Sequence, residues 1–413
     1  MLRFFLEKLI RKGALDVEPF RGRPYRVGEG EPACVLRFLD ARAALELALD
    51  PGLKLGELYM NGRIEVLRGD IYDLLALVTA NLGGGAPTKR LALAQKLRQA
   101  ALWLRAGIRP ARARANVAHH YDLDGRLYRL FLDEDMQYSC AYFEGTQDSL
   151  DAAQTAKKRH IAAKLAISPG QKILDIGCGW GGLGLYLARH CDADVLGVTL
   201  STEQLASARE RARAAGFGAR TRFELQDYRA IGGRFDRIVS VGMFEHVGPK
   251  NYDDYFGQIA RLLADDGVAL VHTIAHFAPP SPTNAWVTKY IFPDGYLPGL
   301  AEIMPSVARA GLVVADLEML RDHYALTLAH WRARFLARRD EAKAIYDERF
   351  CRMWEFYLAC SECGFRFQGC AVAQLQLVKR LDALPITRDY IARNEEVLRQ
   401  RERAFPAFSS AAE

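Results

Sequence analysis

Ile173-Leu174-Asp175-Ile176-Gly177-Cys178-Gly179-Trp180-Gly181-Gly182 is the stretch that decides the fold of this 413-residue chain. An apolar strand-like run leads straight into glycines, and a helical pattern follows to Arg189. Glycines let the backbone turn sharply and let a ligand approach main-chain atoms. Working outward, strand-like runs alternate with helical ones. They are Val195–Thr199 with a helix from Thr202, Thr221–Leu225, Arg237–Val241 with a helix near Tyr252–Leu263, Val268–Ile274 and Leu312–Leu317. Such alternation implies an α/β fold, a parallel sheet covered on both faces. Segment 325–400 reads as mostly helical, and its Trp, Phe and Tyr residues between 331 and 367 read as core.

The first 80 residues read as a small α+β domain. Residues 1–12 suggest an amphipathic helix whose Phe4, Phe5, Leu9 and Ile10 share a face. Residues 25–39 alternate like strands around a Gly28-Glu29-Gly30 turn. Ala41 to Leu49 reads as a helix ended by Pro51-Gly52, and Asp70 to Thr79 as another. Residues 81–115 form a linker. It opens on Gly83-Gly84-Gly85 and carries eight Lys and Arg, from Lys89 to Arg114, with no Asp or Glu after Asn81. Leu93, Leu97, Ala101 and Leu104 fall at near-helical spacing there, so the segment fits either a cationic membrane-surface helix or a stripe packed on the neighbouring domain. The catalytic domain is expected over 116–400, with a disordered tail over 401–413.

Net charge is +6, and no long uncharged apolar run is present. Together with the lack of a signal-peptide pattern, this predicts a cytoplasmic protein whose membrane contact is peripheral. The eight cysteines include one CxxC, Cys360 to Cys363, without a second pair at zinc-site spacing. It reads as two core thiols, and no metal site is expected.

Gly177, Gly179 and Gly182 satisfy G-x-G-x-x-G, so a dinucleotide competes with S-adenosylmethionine for the loop. Three features favour S-adenosylmethionine. Asp175 precedes the first glycine and offers nothing to a pyrophosphate. The next strand ends Val198-Thr199-Leu200-Ser201, without the acid that a dinucleotide ribose needs. Gln226-Asp227-Tyr228 follows the third strand, where a methyltransferase carries an adenine-contacting acid. The base-pocket motif of a nucleic-acid methyltransferase is absent after the fourth strand, which reads Gly242-Met243-Phe244-Glu245, so nucleic acid is not an expected partner.

Several blocks then carry a specific resemblance. They are His120–Leu123, Tyr138-Ser139-Cys140-Ala141-Tyr142-Phe143, Leu174–Gly182, Val198–Ser201, Val241–Gly248, His272–Ile274 and Lys289–Pro293. In this order they resemble the cyclopropane-fatty-acyl-phospholipid synthases and the related mycolic-acid cyclopropane synthases. The resemblance implies a Rossmann-like, seven-stranded class I S-adenosylmethionine-dependent methyltransferase domain with helical lipid-facing insertions. It implies transfer of a methylene to a cis double bond of a phospholipid acyl chain through a carbocation, with bound bicarbonate as base.

Carried over by residue, the bicarbonate set is Cys140, Glu245, His272, Ile274 and Tyr324, with Cys140 and Ile274 acting through their backbone. The S-adenosylmethionine set is Tyr138, Ser139, Asp175, Gly177, Gly179, Gly182, Thr199, Ser201, Gln204, Gln226, Asp227 and Tyr228. A homodimer at the inner face of the membrane is the implied setting, with the N-terminal domain serving lipid or dimer contacts. The π faces of Tyr138, Phe143, Phe244 and Tyr290 are expected to stabilise the cation. One departure stands out: Asp124-Gly125-Arg126 replaces the family's usual Gly-Asn-Asp, which leaves methylation without ring closure as the alternative reaction.

Overall fold

Leu2, Leu6 and Ile10 recur every fourth residue and are all buried, so the chain opens as helix α1 (Leu2–Leu9) with that stripe inward. Phe4, expected on the buried face, points into solvent. The computed structural model describes residues 2–82, 124–276, 284–293 and 295–405. The linker from residue 83 onward, the His120–Leu123 block and residues 406–413 lie outside them.

A four-stranded sheet follows α1, with strands β1 (Ala14–Glu18), β2 (Tyr25–Gly28), β3 (Pro32–Phe38) and β4 (Ile64–Arg68) in the order β2-β1-β3-β4. The Gly28–Gly30 turn therefore does not close a hairpin: β1 lies between β2 and β3, parallel to β3. Helix α2 (Ala43–Leu49) stops before Pro51 as expected. Pro51 also starts α3 (Pro51–Met60), because proline's fixed φ and missing N–H suit a first helical position. Helix α4 (Ile71–Leu82) covers the sheet.

The larger sheet holds β5 (Lys172–Ile176), β6 (Asp194–Thr199), β7 (Thr221–Leu225), β8 (Phe235–Val241), β9 (Leu263–His276), β10 (Val313–Leu320) and β11 (Cys370–Val378). Its order is β10-β11-β9-β8-β5-β6-β7. Strands β5 to β9 are parallel neighbours, and β11 runs antiparallel to both β9 and β10. The seven-stranded α/β architecture stands, and 325–400 is mostly helical as expected, but it also holds the strand β11, which the sequence reading did not place. This strand is buried on both faces, Gln374 and Gln376 included, so it lacks the alternation that marks a half-buried strand.

The helices between these strands are α5 (Gly125–Phe131), α6 (Leu150–Leu165), α7 (Gly182–Cys191), α8 (Thr202–Ala214), α9 (Tyr252–Leu262), α10 (Ala285–Tyr290) and α11 (Leu300–Arg309). They continue with α12 (His323–Ala337), α13 (Arg339–Ile345), α14 (Glu348–Phe367) and, after β11, α15 (Asp389–Ala404). Helix α15 corrects the expected tail from 401. Residues 401–404 are helical, and Glu402 anchors them by accepting from the Tyr186 hydroxyl and the Arg159 guanidinium, both at 2.5 Å.

The aromatic residues of α12 and α14 are core, as expected. Trp331, Trp354 and Phe356 share one apolar cluster with Leu58, Met60, Leu74 and Leu75 of the N-terminal unit. Polar links accompany that packing: the Tyr59 hydroxyl donates to Glu355 at 2.7 Å, and Lys289 and Tyr290 donate to Glu57 at 2.6 and 2.9 Å.

Candidate functional site

The glycine turn after β5 forms one wall of a cavity. Gly177 lies at φ +82°, and a Cβ there would sit 3.0 Å from Met243 Cβ, so both backbone and space require glycine. The N–H groups of Gly177 and Cys178 both donate to the Val198 carbonyl, at 2.9 and 3.0 Å, which ties the turn to the end of β6. Gly179, at φ +53°, has open space beside its missing Cβ. Tyr138, Ser139, Asp175, Gly177, Gly179, Thr199, Gln204, Gln226, Asp227 and Tyr228 all line this cavity.

Two residues assigned to the cofactor set do not line it. Gly182 starts α7 where Asp135 and Gln137 press against the turn, and a Cβ would clash with both side chains. Ser201 caps α8, its hydroxyl accepting from Gln204 N at 3.3 Å. Their part is to shape the walls. Asp227 both lines the cavity and caps a short helical turn, with its carboxylate paired to Arg229 at 2.6 Å.

Asp175 is buried, and burial pushes its carboxyl up to about 7 against the pull of the Lys157 charge. Its Oδ2 has no hydrogen-bond partner. A buried carboxylate oxygen that looks into a cavity without a donor fits a ligand that brings its own N–H, O–H or cationic group. The donors of S-adenosylmethionine suit it, and the glycine turn gives close main-chain access.

Lys157 was not singled out by sequence. Its ammonium, fully buried on α6, donates to Gln137 Oε1 at 2.6 Å and to Ser139 Oγ at 2.8 Å, and it lines the same cavity. Burial lowers its pKa to about 8, with the nearby Asp133 and Asp135 charges opposing. His246 also lines the cavity, and burial holds its imidazole down at about 4, hence neutral.

The five residues assigned to bicarbonate do not line that cavity; they gather around β9. Cys140, Ile274 and Tyr324 share a small cluster with Leu320, Val372 and Tyr142. Glu245 joins it through a 2.7 Å bond in which the Ile274 N–H donates to Oε1. That bond occupies the Ile274 N–H with Glu245. The Glu245 carboxyl is pushed up to about 7 by burial, and its Oε2 has no partner.

His272, two residues before Ile274 on β9, is 2% exposed. Its Nδ1 lies 3.2 Å from Gln374 Nε2, and its Nε2 has no partner. Burial, reinforced by the charges of Lys157 and Lys164, holds the imidazole well below its usual pKa. The Cys140 thiol is pushed up by burial, so thiolate chemistry is not available to it.

Of the four aromatics expected to face a cation, only Tyr138 lines the cavity. Its hydroxyl lies 2.7 Å from that of Tyr357 and its ring stacks on Trp331. Phe244 is core, packed on Tyr252, Tyr255 and Phe256, while Phe143 stacks on His330 and Tyr290 serves Glu57. An aromatic next to a motif faces whichever side its backbone dictates, which adjacency in sequence does not reveal. At the departure from the family pattern, Asp124 caps α5 and pairs with Arg126, and the Gly125 N–H donates to Glu203 at 2.9 Å.

The model of the mycolic acid cyclopropane synthetase family matches residues 109–375, well over half of the chain. The chain belongs to that family. The cyclopropane-fatty-acyl-phospholipid synthase of Escherichia coli is 46% identical over 247 residues, which are 60% of this chain and 63% of that one. Tuberculostearic acid methyltransferase of Mycobacterium tuberculosis is 40% identical over 280 residues, 65% of each chain. The matches thus span just under two thirds of those curated relatives. Among solved structures, mycolic acid cyclopropane synthase CmaA1, complexed with SAH and CTAB, aligns with a TM-score of 0.61 at 34% identity. That alignment covers 64% of this chain and 97% of CmaA1. The seven-stranded sheet is accordingly the class I methyltransferase fold, which family membership had implied.

Proposed function

We propose that this chain is an S-adenosylmethionine-dependent enzyme that converts a cis double bond of a phospholipid acyl chain into a cyclopropane ring. The observation that carries this reading is a cavity built on the glycine turn, backed by a cluster in which the buried Glu245 Oε2 and His272 Nε2 have no partner. The relatives' names, a phospholipid synthase and cyclopropane synthases, support the same substrate class.

S-adenosylmethionine would supply a methyl on a sulfonium, a good leaving group needing no acid catalyst. The chain's task is then to orient and to exclude water. Gly177, Gly179, Asp175, Gln204 and Asp227 would hold the donor. Tyr138 would face the developing cation. Bicarbonate, held by His272 and Glu245 beside Cys140, Ile274 and Tyr324, would supply a base weak enough to stay ionised near neutral pH. A neutral imidazole and a carboxyl poised to carry a proton suit an anion there better than an ionised glutamate would.

The deciding experiment incubates the protein with S-adenosylmethionine and vesicles of monounsaturated phospholipid, followed by mass spectrometry and proton NMR of the fatty acids. A gain of one CH₂ with high-field ring protons is expected; unchanged lipid overturns the reading. A methyl branch without ring protons would establish the second reading. The altered Asp124–Arg126 turn and the relative named as a tuberculostearic acid methyltransferase are the observations behind that second reading.

Among the described residues no helix is long and apolar enough to cross a membrane. The proposal also includes peripheral contact with the bilayer from the cytoplasm, through the basic 81–115 segment and the N-terminal unit of residues 1–80, in a homodimer. Binding to anionic liposomes that weakens at high salt supports this setting, and salt-insensitive binding overturns it.

A further inference from the structure

His272 pairs directly with Gln374 across the antiparallel β9 and β11 strands, which puts both side chains on one face of the sheet. Gln374 is fully buried and bridges two groups: its Oε1 lies 2.9 Å from Lys164 Nζ and its Nε2 lies 3.2 Å from His272 Nδ1. Lys164, with no exposed side-chain surface, also pairs with Glu318 and lies 3.8 Å from Asp316. Glu318 in turn lies 2.8 Å from His160 Nε2, whose Nδ1 is 2.7 Å from Glu395. Both ring nitrogens of His160 face carboxylates. Burial alone would lower its pKa, but those two bonds outweigh it and the pKa is raised.

This chain has one consistent proton assignment. Lys164, between two carboxylates, is an ammonium and has only hydrogens to give. Gln374 Oε1 must therefore accept, which turns the amide NH₂ toward His272. An NH₂ can only donate, so Nδ1 of His272 must accept and cannot carry a proton. The single ring proton then sits on Nε2, the nitrogen with no partner. The positive charges around the ring, those of Lys157, Lys164 and His160 on α6, oppose a second proton; His323 on α12, which also faces it, is held neutral by burial.

We propose that Gln374 and Lys164 are positioning residues that lock His272 as its Nε2-protonated tautomer, so that it offers a hydrogen-bond donor to a small oxyanion and cannot itself act as a base. The inference deepens the proposed function and rests on its anion site. It assigns the proton lost during ring closure to the anion, since His272 Nε2 has no free lone pair.

The test is nitrogen-15 NMR of the full-length protein with labelled histidine, His272 being assigned by its absence in His272→Asn. Between pH 6 and 9 a pyridine-type Nδ1 and a pyrrole-type Nε2 are expected. A proton on Nδ1, or a doubly protonated ring, overturns the proposal whether or not any variant folds. In Gln374→Met an Nδ1-protonated population is expected to appear, with turnover lowered 10- to 100-fold and affinity for S-adenosylhomocysteine within threefold of wild type. A variant that keeps the wild-type tautomer, or wild-type turnover, also overturns it. The spectra need neither donor nor lipid. A lipid assay without product therefore sinks the proposed function while leaving the tautomer result to be read separately.

Discussion

The cavity at the glycine turn and the cluster around His272 meet along Ser139-Cys140, yet they are built on opposite rules. Most polar side chains that line the cavity already have partners, Lys157 with Gln137 and Ser139, Asp227 with Arg229, Thr199 with Gln204, and Asp175 Oδ2 is the open acceptor among them. Such a site recognises a large ligand through shape and main-chain access, and it keeps its form without one. The cluster leaves Glu245 Oε2 and His272 Nε2, both buried, without partners. A buried unsatisfied group costs roughly 1–3 kcal/mol, and this cluster carries two that are titratable. Binding and proton handling are thus divided between a largely satisfied wall and an unsatisfied one.

If that division is right, variants on the two sides should fail differently. Glu245→Gln keeps shape and the Ile274 contact but ends acid–base exchange. Turnover is expected to fall about 1,000-fold, roughly 4 kcal/mol of barrier, with affinity for S-adenosylhomocysteine unchanged by calorimetry. His272→Ala should behave alike. Wild-type turnover in both would remove the cluster from the chemistry.

Gly179→Ala probes the other side. No protein atom lies within 4 Å of the added methyl, and φ is +53°, so the backbone cost is only about 1 kcal/mol. The methyl projects into the cavity. Affinity for S-adenosylhomocysteine is expected to fall 10- to 50-fold, about 2 kcal/mol, with the melting temperature nearly unchanged. Undiminished affinity would mean that the nucleoside lies elsewhere.

The two sides also differed in legibility. Asp175, Gly177 and Asp227 could be placed from sequence because a strand, a turn and a helix are local patterns. The cluster could be named only through the family resemblance, since Glu245, His272 and Tyr324 come from three distant segments. Lys157 and Lys164 left no signal at all. The run Lys157-Lys158-Arg159-His160 has the composition of a solvent-facing helix, yet all four are buried. Their partners Asp135, Glu144, Glu318, Glu395 and Glu402 lie outside α6, most of them far along the chain. Strand β11 was hidden for a related reason. Gln374 and Gln376 interrupt its apolar run because they bond inward, Gln374 to His272 and Lys164, Gln376 to Tyr390 and the Lys164 carbonyl.

The smallest effect is the most specific to the unsatisfied wall. Burial holds the Glu245 carboxyl at about 7 against a usual value of 4.5. Between those values the folded chain keeps a proton that the unfolded chain has released. Stability from this group must therefore fall as pH rises from about 4.5 to 7. The amide of Glu245→Gln cannot ionise, so the variant escapes the decline. Asp175, also raised to about 7, is present in both proteins and cancels in their difference. The melting temperature of Glu245→Gln relative to wild type should thus climb between pH 5 and pH 8. A shift of this size allows roughly 3 kcal/mol, and water entering the ionised site would leave about 1–2 kcal/mol of it. A difference that stays flat, or falls, would mean that Glu245 is ionised in the resting protein, and the contrast between the two walls would fail at its central residue.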